Sequence, residues 1–105
     1  MSLTEGREIL GDDWRVTRVR INHQSVVSRR KGNKLVVYEF DVGGFYVLNA
    51  SAQLIFEQID GDRTLGQIAD RVEGLTSGTV SKCDVVELVS ELQQLKVILT
   101  ERSAS

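Results

Sequence analysis

The 105-residue sequence has no proline and only one cysteine, one histidine and one tryptophan. A single cysteine, Cys83, excludes an internal disulfide, and with a single histidine, His23, it cannot build a structural zinc site. A chain without disulfides is expected in a reducing, cytoplasmic setting. No run of about 18 apolar residues is present, so no membrane span and no membrane partner are expected. Residues 1–10 (MSLTEGREIL) lack the charged-then-apolar pattern of a secretory signal. Also missing are G-x-G-x-x-G, the P-loop, H-E-x-x-H and G-x-S-x-G. A lone His23 is far more often a surface side chain than a catalytic base. Cys83 is expected just before a helix, and with no second cysteine it is read as a capping-region residue and not a redox centre. Asp60, Asp62 and Asp70 could be drawn as a metal cluster, yet Asp60 and Asp62 flank Gly61 in a turn, where such residues serve the backbone. No enzyme activity, metal or cofactor is therefore expected. The absence of proline excludes no function.

What remains is an ordinary globular composition, 41% hydrophobic, of a length that makes one domain. The net charge of -2 is unevenly spread: residues 1–34 carry +4 and residues 35–105 carry -6. The basic part suits either an acidic partner or a solvated strand face.

Along the chain, residues 1–11 read as a tail. Residues 14–21 space Trp14, Val16, Val19 and Ile21 among arginines, as an irregular strand or an arm on the body. Residues 23–30 (HQSVVSRR) predict a first strand, followed by the turn Lys31-Gly32-Asn33. Residues 34–40 (KLVVYEF), dense in β-branched and aromatic side chains, predict a second strand. A turn at 41–44 precedes a third, residues 45–48 (FYVL). Short strands joined by tight turns make an antiparallel meander. After Asn49 the period changes to that of a helix. Ala52, Ile55, Phe56 and Ile59 form one apolar face, with Asn49 as N-cap and Gly61 as terminator. A second helix carries Leu65, Ile68, Ala69 and Val72, with a Thr64/Gln67 capping box and Gly74 as its stop. After a loop at 75–82, Asp84 is expected to cap a third helix with core face Val85, Leu88, Val89, Leu92 and Leu95, and Lys96 at its C-terminal end. Residues 97–100 (VILT) can add a short strand. Strands first and helices after predict an α+β domain. The expected division is a tail or arm at 1–22, the domain at 23–100 and a tail at 101–105.

Residues 45–99 carry a motif order of their own: Tyr46, Leu48-Asn49, Ala52, Ile55, Asp60-Gly61, Thr64, Ile68-Ala69, then Asp84-Val85, Leu88, Leu92 and Ile98. This order and spacing resemble the PqqD-like family. The resemblance implies a three-stranded antiparallel sheet followed by a three-helix bundle, winged helix-turn-helix-like. It implies a non-catalytic recognition domain of ribosomally made, modified peptides. A precursor's leader lies as an added strand on the third strand, beside the third helix, and a radical enzyme, cyclase or protease modifies what is presented. The family's name-giving member serves PQQ biosynthesis, and relatives serve lasso-peptide and other pathways. Here the N-terminal part is longer and richer in arginine than in the name-giving branch, and the ending LKVIL lacks its tryptophan, so the pathway stays open.

On this reading the peptide-binding residues are Gly44, Phe45, Tyr46, Val47, Leu48 and Asn49 of the third strand. Val86, Val89 and Gln93 form the facing helix stripe, with Val86 expected exposed. The Tyr46/Leu48 side of the strand is expected to face the helices. Two other classes suit the same pattern. A winged-helix nucleic-acid binder is disfavoured, because the third helix carries Asp84, Glu87 and Glu91 and no interior Lys or Arg. A homodimer through the exposed strand edge is the other.

Overall fold

The structure, a computed structural model, describes residues 14–102; the tail expected at 1–11 and residues 103–105 lie outside the described residues. A 3-10 turn, Trp14–Val16, leads into β1 (Thr17–Ile21), β2 (Val26–Lys31), β3 (Lys34–Glu39) and β4 (Gly44–Leu48). Helices α1 (Ala50–Glu57), α2 (Leu65–Leu75) and α3 (Lys82–Gln94) follow, and β5 (Ile98–Arg102) ends the described chain. Strands β2, β3 and β4 form the expected antiparallel meander. Lys31 pairs with Lys34 across a two-residue loop in which Gly32 has φ 64°. Positive φ at the first loop position matches a hairpin turn whose twist follows that of the strands. The first strand starts at Val26 and not at His23, because residues 22–25 close a turn in which the Ser25 N–H donates to the Asn22 carbonyl at 3.0 Å.

The expectation of a single sheet is corrected by a second one: β1 pairs antiparallel with β5, Val19 opposite Thr100 and Ile21 opposite Ile98. The TRVRI alternation buries Thr17 and Val19 and exposes Arg18 and Arg20. Residues 17–21 are thus a strand of the packed body, with Val19 wholly buried. The preceding 3-10 turn lies on α2 at Gly66, where an added Cβ would sit 2.8 Å from the Arg15 carbonyl oxygen.

All three helices are capped, though not always by the expected residue. Asn49 Oδ1 accepts from the Ala52 N–H at 2.9 Å, and Thr64 and Gln67 form the expected capping box. Helix α3 begins earlier than expected, because Ser81 is its N-cap and Asp84 is the reciprocal third residue of a capping box. Cys83 therefore stands inside the first turn, exposed. Helix α1 stops at Glu57, and Gly61, φ 88°, belongs to the turn beyond it. Gly74 lies within α2, not after it. The left-handed positions that end α2 and α3 are Ser77 (φ 51°) and Lys96 (φ 66°). In each case the two following N–H groups bond back, Ser77 to Gly74 and Gly78 to Glu73, Lys96 to Gln93 and Val97 to Leu92, which is the Schellman pattern.

One core joins these layers. Leu35, Val37 and Leu48 from the meander meet Ala52, Ile55 and Phe56 of α1, Leu65, Ile68, Ala69 and Val72 of α2, and Val85, Val89 and Leu92 of α3, with Val19 and Ile98 from the ribbon.

Candidate peptide-binding edge

Among the described residues, strand β4 has a neighbour, β3, on one side only. Which backbone groups it leaves free follows from the register. Lys31 and Lys34 close a two-residue hairpin and must be a hydrogen-bonded pair, so Val36 and Tyr38 also bond toward β2. Leu35, Val37 and Glu39 then bond toward β4, to Leu48, Tyr46 and Gly44. The N–H and C=O groups of Phe45 and Val47 are left pointing away from the sheet. The side chains alternate as well: Leu48 is buried, Tyr46 is half-buried against the core, and Phe45 and Val47 are 67% and 52% exposed. The Tyr46/Leu48 side faces the helices, as the sequence predicts.

The turn that launches β4 is fixed from inside. The Glu39 carboxylate, buried, accepts from the Asp41 and Val42 N–H groups at 2.9 Å each. Ser25 Oγ donates to Asp41 Oδ2 at 2.8 Å and ties this turn to the start of β2. Gly44 opens the strand, and the Tyr46 hydroxyl folds back to 2.6 Å from where a Gly44 Cβ would stand.

At the other end of β4 a cleft of about 330 Å³ opens between the start of α1 and α3, bordered by Asn49, Ala52, Val80, Leu88 and Glu91. Its α3 wall is Asp84, Glu87, Leu88 and Glu91, one apolar side chain among three carboxylates. Among the described residues no cation pairs with Glu87 or Glu91, whereas Glu57 pairs with Arg30, Asp60 with Arg63, and Asp70 and Glu73 with Lys82. On the opposite side of Asn49, a second cleft of about 320 Å³ is lined by Lys34, Val47 and Gln53.

This wall differs from the expected one. Val86 is 3% exposed and Val89 fully buried, so both are core residues and the expectation of an exposed Val86 is corrected. The reason is that α3 is covered on two sides, by α2 and by β5. Gln93 is half-buried, its Nε2 donating to Thr100 Oγ1 of β5 at 2.8 Å. Leu88, expected in the core, stands half-buried at its border, and Leu95 is exposed. The Asp84/Leu88/Glu91 spacing of i, i+4 and i+7 was readable as one helix face, but only the position of β5 decides which face is open.

The remaining candidate chemistry is accounted for locally. Asp60 Oδ1 accepts from the Asp62 and Arg63 N–H groups at 3.0 and 2.9 Å. These backbone donors, with the Arg63 charge, hold the Asp60 carboxyl below the usual aspartate range. Asp70 faces Lys82 at 3.6 Å. The hydrogen bond from Lys82 to Glu73, 2.8 Å, raises the Lys82 ammonium above its ordinary value. Among the described residues no three His, Cys, Asp or Glu side chains gather as a metal site. Nor is any described helix long and apolar enough to cross a membrane.

Comparison with known proteins adds two findings. A solved structure described as "TbiB1 in Complex with the TbiA(beta) Leader Peptide" superposes with a TM-score of 0.60 at 18% identity, over 82% of this chain and 99% of that one. That likeness establishes a shared fold. No curated protein matches the sequence. The family model described as "Coenzyme PQQ synthesis protein D (PqqD)" matches residues 34–98, a span running from the first residue of β3, through the open strand and all three helices, to the first residue of β5. The chain belongs to the PqqD family.

Proposed function

We propose that this protein is a non-catalytic recognition protein that takes up the leader segment of a ribosomally made precursor peptide as a fourth strand on β4. It presents the rest of the precursor to a modifying enzyme. The observation that carries this reading is the edge of β4, open among the described residues at the Phe45 and Val47 backbone groups, with the Asn49/Leu88/Glu91 cleft at the end of the strand. An extended peptide satisfies such groups without regard to side-chain identity, and the adjoining cleft then discriminates among side chains. Family membership supports the reading, as does a fold neighbour solved with a leader peptide. In this account Gly44–Leu48 and Asn49 supply the docking edge. Tyr46 and Leu88 form the apolar border of the groove, and Val86 and Val89 hold α3 in place from beneath. A nucleic-acid partner is disfavoured, because the carboxylates of α3 repel phosphates, which supply most nonspecific nucleic-acid affinity. The pathway, whether PQQ, lasso-peptide or another, is set by the precursor.

Titrating the precursor's leader segment into isotope-labelled protein tests the site. Amide shifts are expected along Gly44–Leu48, at Asn49 and at Leu88 and Glu91, with the peptide recovered chemically unchanged. Shifts confined to regions away from β4 and α3 would contradict it.

A further inference from the structure

Strand β4 has a second free surface, distinct from its edge. The face of the meander turned away from the helices carries Val27, Arg29 and Lys31 of β2, Lys34, Val36 and Tyr38 of β3, and Phe45 and Val47 of β4. The register sets these in rows. Val27, Tyr38 and Phe45 lie side by side near the 40–43 turn, then Arg29, Val36 and Val47, then Lys31 and Lys34 at the hairpin. Val27 is 42% exposed, and Phe45 and Val47 more so. The Tyr38 and Phe45 rings lean together at 6.3 Å, and Lys31 Nζ lies 5.9 Å from the Tyr38 ring centroid. Among the described residues no carboxylate pairs with Arg29, Lys31 or Lys34. A half-buried antiparallel sheet normally turns polar residues to water. This face instead turns out Val27, Tyr38, Phe45 and Val47, with Arg29 in the middle row, Lys31 and Lys34 at the hairpin, and Val36 buried among them.

We infer that this outer face docks an amphipathic helix of a second protein, its apolar stripe on Val27, Tyr38, Phe45 and Val47 and its carboxylates over Arg29, Lys31 and Lys34. The dimensions fit one helix. Three strands set about 4.8 Å apart span about 10 Å, and strands of this length run about 17–20 Å, the breadth and length of three to four helical turns. The charge fits an acidic partner and not a nucleic acid, because only three cations stand on this face, interleaved with the outward apolar side chains Val27, Tyr38, Phe45 and Val47. The inference is distinct from the leader reading, since the leader would use the backbone edge of β4 and the helix the outward side chains of Phe45 and Val47.

The test uses the full chain and two synthetic helical probe peptides with the same leucine stripe, one ending in glutamates and one in lysines. Amide shifts are expected at Val27, Val36, Tyr38, Phe45 and Val47. The glutamate probe should bind about tenfold more tightly at low salt, as three partly exposed ion pairs allow. The double variant Lys31→Glu with Lys34→Glu keeps a like-charged cross-strand pair, so its thermal midpoint serves as the control for folding, and it should reverse the preference. Equal affinity for the two probes, or a preference unchanged in the double variant, overturns the inference. So do shifts restricted to the β4 edge and α3, tighter binding of a thymidine oligonucleotide, or self-association of the free chain through this face. Leader titration of the same double variant reads the edge separately, so either reading can fail alone.

Discussion

Gly66 shows what a single residue decides in this chain. A helix interior ordinarily favours alanine over glycine by about 1 kcal/mol. Here the missing Cβ admits the Arg15 backbone. Gly66→Ala should therefore destabilise the protein by about 1–3 kcal/mol, the cost of overpacking, as read by urea denaturation; a gain in stability would mean that the 3-10 turn does not rest on α2. Asp60 offers a check by pH. Its folded pKa lies below the unfolded one, so its contribution to stability is complete above the ordinary aspartate range and is lost as pH falls through the lowered value. A carboxyl-carbon titration should place its midpoint below that of the same aspartate in an unfolded peptide. Leu88, half-buried at the groove, separates binding from folding. Leu88→Ala should weaken leader binding about tenfold, in line with about 1–2 kcal/mol of lost apolar contact, while shifting the thermal midpoint far less than Leu92→Ala.

At the scale of elements, most boundaries were legible because the signals were local. The KLVVYEF run, the Asn49 cap and the Thr64/Gln67 box each lie within a few residues of what they determine. Asp84 precedes the apolar stripe as an N-cap would, but Ser81 stands three residues before it in a capping-box relation and is the cap. Gly61 and Gly74 have the residue type of helix stops, yet Gly61 lies in the turn beyond α1, Gly74 lies inside α2, and Ser77 and Lys96 hold the left-handed positions after α2 and α3. Lys96→Gly should therefore raise stability by about 1 kcal/mol by removing a left-handed side-chain penalty. The β1–β5 ribbon was not legible, because TRVRI finds its partner at the far end of the chain. That partner also covers one side of α3, whose open face lies at Leu88 and Glu91. Val19→Ala should cost about 2 kcal/mol or more for an unfilled core site. Val16→Ala, at an exposed position, should change stability by less than about 0.5 kcal/mol.

At the scale of the whole molecule, the meander sits with one face on the helices and, among the described residues, three other surfaces open: the β4 edge, the β2 edge and the outer face. The β4 edge differs from the β2 edge in what stands beside it, a cleft walled by α1 and α3. The central claim is that this edge, and not the other, receives an extended peptide. Amide hydrogen exchange with and without the leader segment measures it most directly. The Phe45 and Val47 amides, free of the sheet in the unbound protein, are predicted to slow strongly on binding. Those of Tyr46 and Leu48, already bonded to β3, should change less. Slowing at Val26, Ser28 and Arg30 on the opposite edge, or no slowing at Phe45 and Val47 under saturating leader, would contradict the account.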